Sequence, residues 1–177
     1  TFYESVIDTL NTKYYTRSLN RIALIKQKQL KYNESLNYYT VLNKISKNNR
    51  EKIDSYIGIV SNHLHLNNLD SVIYYSEQIN NYDKISFTNR NKINLLKAKS
   101  YLKNNNESSA IDMLLTTINL VKDESAAEAQ YLLAELFFNR NEKKQALETL
   151  YTLNENFISQ KHWVGKSYLL IAKIFIS

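Results

Sequence analysis

The chain contains no cysteine and no proline, and only two glycines, Gly58 and Gly165, among its 177 residues. Without cysteine there are no disulfides, no zinc–thiolate clusters and no thiol nucleophile. β-Sandwiches and doubly wound α/β folds draw on glycine and proline for tight turns and phosphate loops. Their scarcity therefore points to an all-α chain. No apolar stretch approaches the roughly 18 residues of a membrane span, and the run from Tyr168 to Ala172 is broken by Lys173. No signal peptide is recognisable. The chain opens on a helical pattern and closes on Ile174-Phe175-Ile176-Ser177, which reads as a segment of a longer protein.

What is present is ordinary for a folded protein: 44% hydrophobic and 23% charged residues, which excludes general disorder. The net charge of +6 is unevenly spread, with nine Lys/Arg against three Asp/Glu in residues 1–50 and five against eight in residues 101–150. A basic N-terminal third suits nucleic acid, anionic lipid or an acidic protein tail. It is equally the composition of a solvated helix surface. Fourteen tyrosines interleaved with Lys and Arg would suit base stacking. Most of them, such as Tyr38, Tyr39, Tyr74 and Tyr75, fall on the apolar faces of helices, where packing accounts for them. Nucleic acid is therefore not the expected partner.

An internal repeat organises the chain. Small residues inside apolar helical segments recur as Ala23, Val60, Ala98, Ala134 and Ala172, at spacings of 37, 38, 36 and 38. Three residues after each come Lys26, His63, Tyr101, Phe137 and Phe175. Twelve residues after the first four come Ser35, Val72, Ala110 and Ala146, each leading an apolar run. Two helices per unit follow, with small residues where paired backbones approach closely. Between the helices of a unit lie Lys31-Tyr32-Asn33, Asn67-Asn68, Asn104-Asn105-Asn106 and Asn139-Arg140-Asn141. Asparagine tolerates the left-handed conformation and caps the helix that follows. Asn48-x-x-Glu51 and Ser125-x-x-Glu128 read as capping boxes. Loops of two to five residues make consecutive helices antiparallel neighbours.

The pattern Ala98-x-x-Tyr101 with Ala110, and Leu133-Ala134-x-x-Phe137 with Ala146, resembles the tetratricopeptide repeat (TPR) signature. Residues Asn67 to Tyr75 are similar to a segment of bacterial TPR proteins, including sensor kinases. Residues His162 to Leu170 are similar to the last units of envelope-associated bacterial TPR scaffolds. The period exceeds the family's 34 residues, the helix-ending proline is missing, and Lys26 stands at an aromatic position. The resemblance implies an all-α, right-handed α-solenoid of four to five TPR-like antiparallel helix pairs. It forms one array over residues 1–177, with units at 16–48, 49–85, 86–124 and 125–160 and a half unit at 161–177. It also implies a periplasmic or envelope location, with the cytoplasm as the alternative.

No motif for chemistry stands out. Gly165-Lys166-Ser167 matches the end of a phosphate loop, but Gln160 stands where that motif needs glycine. His63 and His65 are two apart and point to different sides of a helix, so they do not share a metal. Glu128 and Glu135 lie seven apart on one face without a pattern that assigns them acid–base work. The expectation is a non-enzyme without metal or cofactor. In a TPR array the first helix of each pair lines the concave surface. This places Lys92, Lys99 and Lys103 in one column, Glu128, Tyr131, Glu135, Phe138 and Asn139 in the next, and Lys166 and Lys173 in the last. These residues are either a self-neutralising ladder, Lys92/Glu128/Lys166 and Lys99/Glu135/Lys173, or a groove for a peptide or partner protein. A peptide- or effector-sensing domain is the alternative to a scaffold. The C-terminal helix presents Trp163, Leu170, Ile171, Ile174 and Phe175 with no second helix to cover them, so two expectations stand side by side: the chain is a segment of a longer protein, or this face self-associates.

Overall fold

The computed structural model describes residues 12–79, 82 and 84–177, so the helical pattern read at the start of the chain lies outside the described residues. Among the described residues there are nine α-helices and no strand. They are α1 (Thr12–Lys28), α2 (Tyr32–Ile45), α3 (Asn49–His65), α4 (Leu69–Gln78), α5 (Phe87–Lys103), α6 (Glu107–Leu120), α7 (Glu124–Asn139), α8 (Lys143–Asn156) and α9 (Lys161–Ile176). None is long and apolar enough to cross a membrane. The chain divides into two compact units, residues 1–85 and 86–177.

Within the first unit each helix packs on the next, and α1 also touches α3. The second unit repeats this from α5 to α9, with α5 touching α7 and α7 touching α9. The small residues of the repeat explain the close packing. Ala23, Val60, Ala98 and Ala134 are fully buried, as are Ser35, Val72, Ala110 and Ala146. Four and seven residues after the second set stand Tyr39 and Leu42, Ser76 and Ile79, Leu114 and Thr117, and Leu150 and Leu153, all buried. That spacing is one face of a helix. A further register emerges five residues before the first set: Ser18, Ser55, Ile93, Ala129 and Ser167 are all buried.

Several polar groups in this core are tied to one another and to backbone. Asn62 Nδ2 donates to Ser35 Oγ at 2.9 Å, and Ser35 Oγ donates to the Ala23 carbonyl at 2.9 Å, joining α1, α2 and α3. Asn43 Nδ2 donates to Ser55 Oγ at 2.9 Å between α2 and α3. The equivalent pair between α8 and α9 bonds in the opposite sense, with the Ser167 hydroxyl donating to Asn154 Oδ1. Between α6 and α7 the equivalent places hold Ile118 and Ala129, which pack in one apolar cluster. A buried hydroxyl or amide left without a partner is costly, so each polar pair must be replaced as a pair.

The turns inside the helix pairs share one geometry. Leu30, Asn67, Asn105 and Asn141 have φ between 54° and 64°. In each turn the following amide reaches back five residues: Lys31 to Lys26, Asn68 to His63, Asn106 to Tyr101 and Glu142 to Phe137, all at 2.9 Å. This is the Schellman closure of a helix end, with the left-handed residue at its centre. The first turn differs from the expected Lys31-Tyr32-Asn33, because Leu30 is left-handed and Tyr32 already belongs to α2. The two- to five-residue loops also fail once: α4 ends at Gln78 and α5 begins at Phe87.

Caps follow local chemistry. Asn48 accepts from the Glu51 amide at 2.8 Å, as expected. The Ser125-x-x-Glu128 cap does not form. Asp123 is the N-cap of α7 and accepts from the Ala126 amide at 3.0 Å, while Ser125 is buried inside the helix. An Asp two residues earlier competes for the same role and also suits the helix dipole. In α9, Trp163, Leu170, Ile171 and Ile174 are buried, contrary to the expectation that they lie open. Of the five residues expected to be exposed, only Phe175 is. The helix turns its other face outward because α7 and α8 together cover the first.

Two outcomes follow for stability. Leu30→Gly removes a Cβ from a left-handed position and is expected to stabilise the chain by about 1 kcal/mol, read from the denaturant midpoint; no gain would mean the Leu30 side chain contributes elsewhere. Gly58→Ala is expected to destabilise by about 1–3 kcal/mol despite alanine's better helix propensity. Its Cβ would fall 2.4 Å from the buried Tyr39 ring, and a stabilised variant would show that the ring yields freely.

Candidate functional site

The ten residues expected to line a groove all lie in the second unit, on α5, α7 and α9, the three first helices of their pairs. Repeat spacing puts them on these helices, and the contacts α5–α7 and α7–α9 put the helices side by side. Glu128, Tyr131, Glu135 and Phe138 are half-buried on α7. Lys99 is half-buried on α5, whereas Lys92 and Lys103 are exposed near its two ends. Lys166 and Lys173 are exposed on α9, and Asn139 is exposed at the end of α7.

The ladder expected from repeat register is not the one formed. Lys99 Nζ lies 2.5 Å from Glu128 Oε1, so Glu128 pairs with Lys99 rather than Lys92. The displacement is seven residues, about 10 Å of helix, more than side-chain reach alone absorbs. Lys166 and Lys173 make cation–π contacts in place of the expected bridges to Glu128 and Glu135. Lys166 Nζ is 4.6 Å from the centroid of Trp163 and 5.5 Å from that of Tyr131. Lys173 Nζ is 5.2 Å from the centroid of Phe138. An ammonium over an aromatic face gains from the ring quadrupole and keeps its outer side hydrated.

Tyr131 is the hub of this surface. Its ring centroid is 5.6 Å from that of Trp163. Burial pushes its phenol above the ordinary pKa, and Glu135, by its charge and as hydrogen-bond acceptor, pushes the same way. The tyrosine thus stays a neutral donor.

Beyond Glu135 the surface opens into a cavity of about 330 Å³. Leu102 and Asn105 border it from the end of α5, Glu107 from the start of α6, and Leu132, Leu136, Asn139 and Arg140 from α7. Arg140 Nε donates to Glu107 Oε2 at 2.8 Å and closes one side. Both residues are partly exposed, so the pair contributes about 0–1 kcal/mol. Sequence reasoning missed this pair and the cavity. The available signal was that Glu107 and Arg140 each flank a left-handed turn residue, Asn105 and Asn141, of adjacent repeats.

The other candidates for chemistry sit elsewhere. His63 stacks on Tyr75 at 5.2 Å and burial lowers its pKa, whereas His65 stacks on Tyr32 at 4.3 Å. Among the described residues no three His, Cys, Asp or Glu side chains gather to hold a metal. Gly165-Lys166-Ser167 lies in mid-helix, with Ser167 buried on Asn154. Tyr74, expected on an apolar packed face, is exposed and meets the Tyr75 ring edge-on. No family model matches the chain, and neither a curated protein nor a solved structure does.

Trp163 is the sole tryptophan, so its emission reports on this surface. Lys166→Met is expected to change that emission and to cost about 0.5–1 kcal/mol, with helix content retained by circular dichroism. An unchanged spectrum would mean that the ammonium does not occupy the ring face in solution.

Proposed function

We propose that the chain is a TPR-like α-solenoid serving as a protein–protein interaction module, and that the α5–α7–α9 surface grips an extended acidic segment of a partner. The observation that carries this reading is the side-by-side set of lysine–aromatic contacts, Lys166 on Tyr131 and Trp163 and Lys173 on Phe138, beside a cavity of about 330 Å³. Five lysines against two glutamates make the surface net positive. A carboxylate of the partner can meet the outward side of Lys166 or Lys173 without displacing the ring beneath.

The remaining chemistry suits a peptide. Leu102, Leu132 and Leu136 offer an apolar floor for one side chain, while Asn105 and Asn139 offer amide groups to a peptide backbone. Anchors of this kind, aromatic or apolar at the centre and charged at the rim, dominate binding energy at protein interfaces. Rim lysines mainly steer encounter and set salt dependence. The reading assigns no covalent or proton-transfer role to any of these residues.

Fluorescence anisotropy with labelled extended peptides tests the proposal. An Asp/Glu-rich peptide bearing one leucine is expected to bind, and a Lys-rich counterpart to bind far more weakly. Affinity for the acidic peptide should fall by roughly tenfold or more in Lys166→Glu/Lys173→Glu and decline as salt rises. Equal binding of both peptides, or an unaffected double variant, would remove the groove from the reading.

A further inference from the structure

One place in the repeat is closed in the first unit and open in the second. In the first unit Gln27 Nε2 donates to Ser61 Oγ at 2.8 Å, from α1 to α3. Beside it Tyr32, at the start of α2, stacks on His65 with ring centroids 4.3 Å apart. Counted from Ala98 and Ala134 as these are from Ala23 and Val60, the second unit has Leu102 in place of Gln27 and Glu135 in place of Ser61. Glu107 replaces Tyr32, and Asn139 replaces His65. All four of these residues border the cavity. Leucine has no donor to offer a carboxylate, so the bond that closes the first unit has no counterpart, and about 330 Å³ stands open there.

The charge of this cavity is opposite to that of the lysine surface beside it. Three charged residues border it, Glu107, Arg140 and Glu135. Arg140 is taken by Glu107, whereas Glu135 makes no ion pair among the described residues. Tyr131 donates one hydrogen bond to Glu135, and the two oxygens of a carboxylate can accept several. Leu102, Leu132 and Leu136 supply apolar walls. A half-buried carboxylate among apolar walls suits a cation carried on an apolar stem. The volume lies at the lower end for a ligand site and fits one side chain.

We propose that the cavity takes one lysine side chain of the partner segment. Its methylene stem lies against Leu102, Leu132 and Leu136, and its ammonium donates to the Glu135 carboxylate where Gln27 meets Ser61 in the first unit. The inference rests on the reading of the α5–α7–α9 surface as a groove for an acidic segment, and adds that the segment carries a lysine among its acidic residues. Phe138, on which Lys173 lies, directly precedes Asn139 at the cavity border. An acidic residue on Lys173 and a lysine in the cavity therefore belong to one short stretch of chain.

Fluorescence anisotropy of the full chain with paired labelled peptides is the test. Each pair is Asp/Glu-rich and carries either lysine or Nε-acetyl-lysine at one position, which is moved along the segment from pair to pair. The surface as a whole is net positive, so charge alone favours acetyl-lysine everywhere. The cavity should reverse that order at one position, with lysine bound roughly tenfold tighter. Glu135→Gln should cancel the preference, bringing the two peptides within a few-fold of each other. Leu102→Gln/Glu135→Ser rebuilds the bonded pair of the first unit and should cancel it too, with helix content retained by circular dichroism. Acidic peptides that bind with lysine nowhere better than acetyl-lysine overturn the proposal and leave the acidic groove standing. A lysine preference that survives Glu135→Gln overturns it as well. Acidic peptides that do not bind in either form overturn both readings.

Discussion

Close approach of paired helix backbones is the constraint on which the rest of the structure depends. Ala23 with Ser35, and Ala134 with Ala146, leave no exposed surface at the centre of their helix pairs. A larger residue at either place would push the axes apart, and the tyrosines, leucines and isoleucines around them would lose contact. The first pair adds a polar tie, since the Ser35 hydroxyl bonds the Ala23 carbonyl across the gap. That bond is possible only because both residues are small. Asn62 extends it to the next helix, so an apolar packing rule and a hydrogen bond act at one spot.

The left-handed turns are the second constraint. Leu30, Asn67, Asn105 and Asn141 each close a helix and return the chain at once into its antiparallel partner. The acceptors of the long back-reaching bonds are Lys26, His63, Tyr101 and Phe137, the residues that follow the small position by three. Helix end, turn and close packing are thereby spaced by one repeat. A change in loop length would misplace the small residues as well as the cap.

The surface chemistry of the second unit is built on this frame but is not prescribed by it. α7 offers Glu128, Tyr131, Glu135 and Phe138 on one side, and three of the neighbouring lysines choose among them by reach and by solvation. Lys99 takes the half-buried Glu128, while Lys166 and Lys173 lie on rings and remain hydrated. Tyr131 and Glu135 then hold each other in place. The result is a surface with cations outward and aromatic rings beneath, next to a cavity bordered by Leu132 and Leu136.

The all-helical class, the repeat period and the placing of the ten candidate residues on the helices now numbered α5, α7 and α9 were legible in the sequence. So were three of the four left-handed turns, because helix periodicity and the tolerance of asparagine for positive φ are local properties. Leu30 escaped because leucine carries no such signal, and Ser125 was mistaken for a cap because Asp123 competed for the same amides. Tertiary structure alone decided which lysine meets which acid, that four of the five apolar residues named on α9 are buried, and that a cavity forms beside Arg140. The physical reason is common to all three. Each depends on the axial offset of neighbouring helices and on which neighbours cover a face, and those follow from the summed packing of side chains distant in the chain.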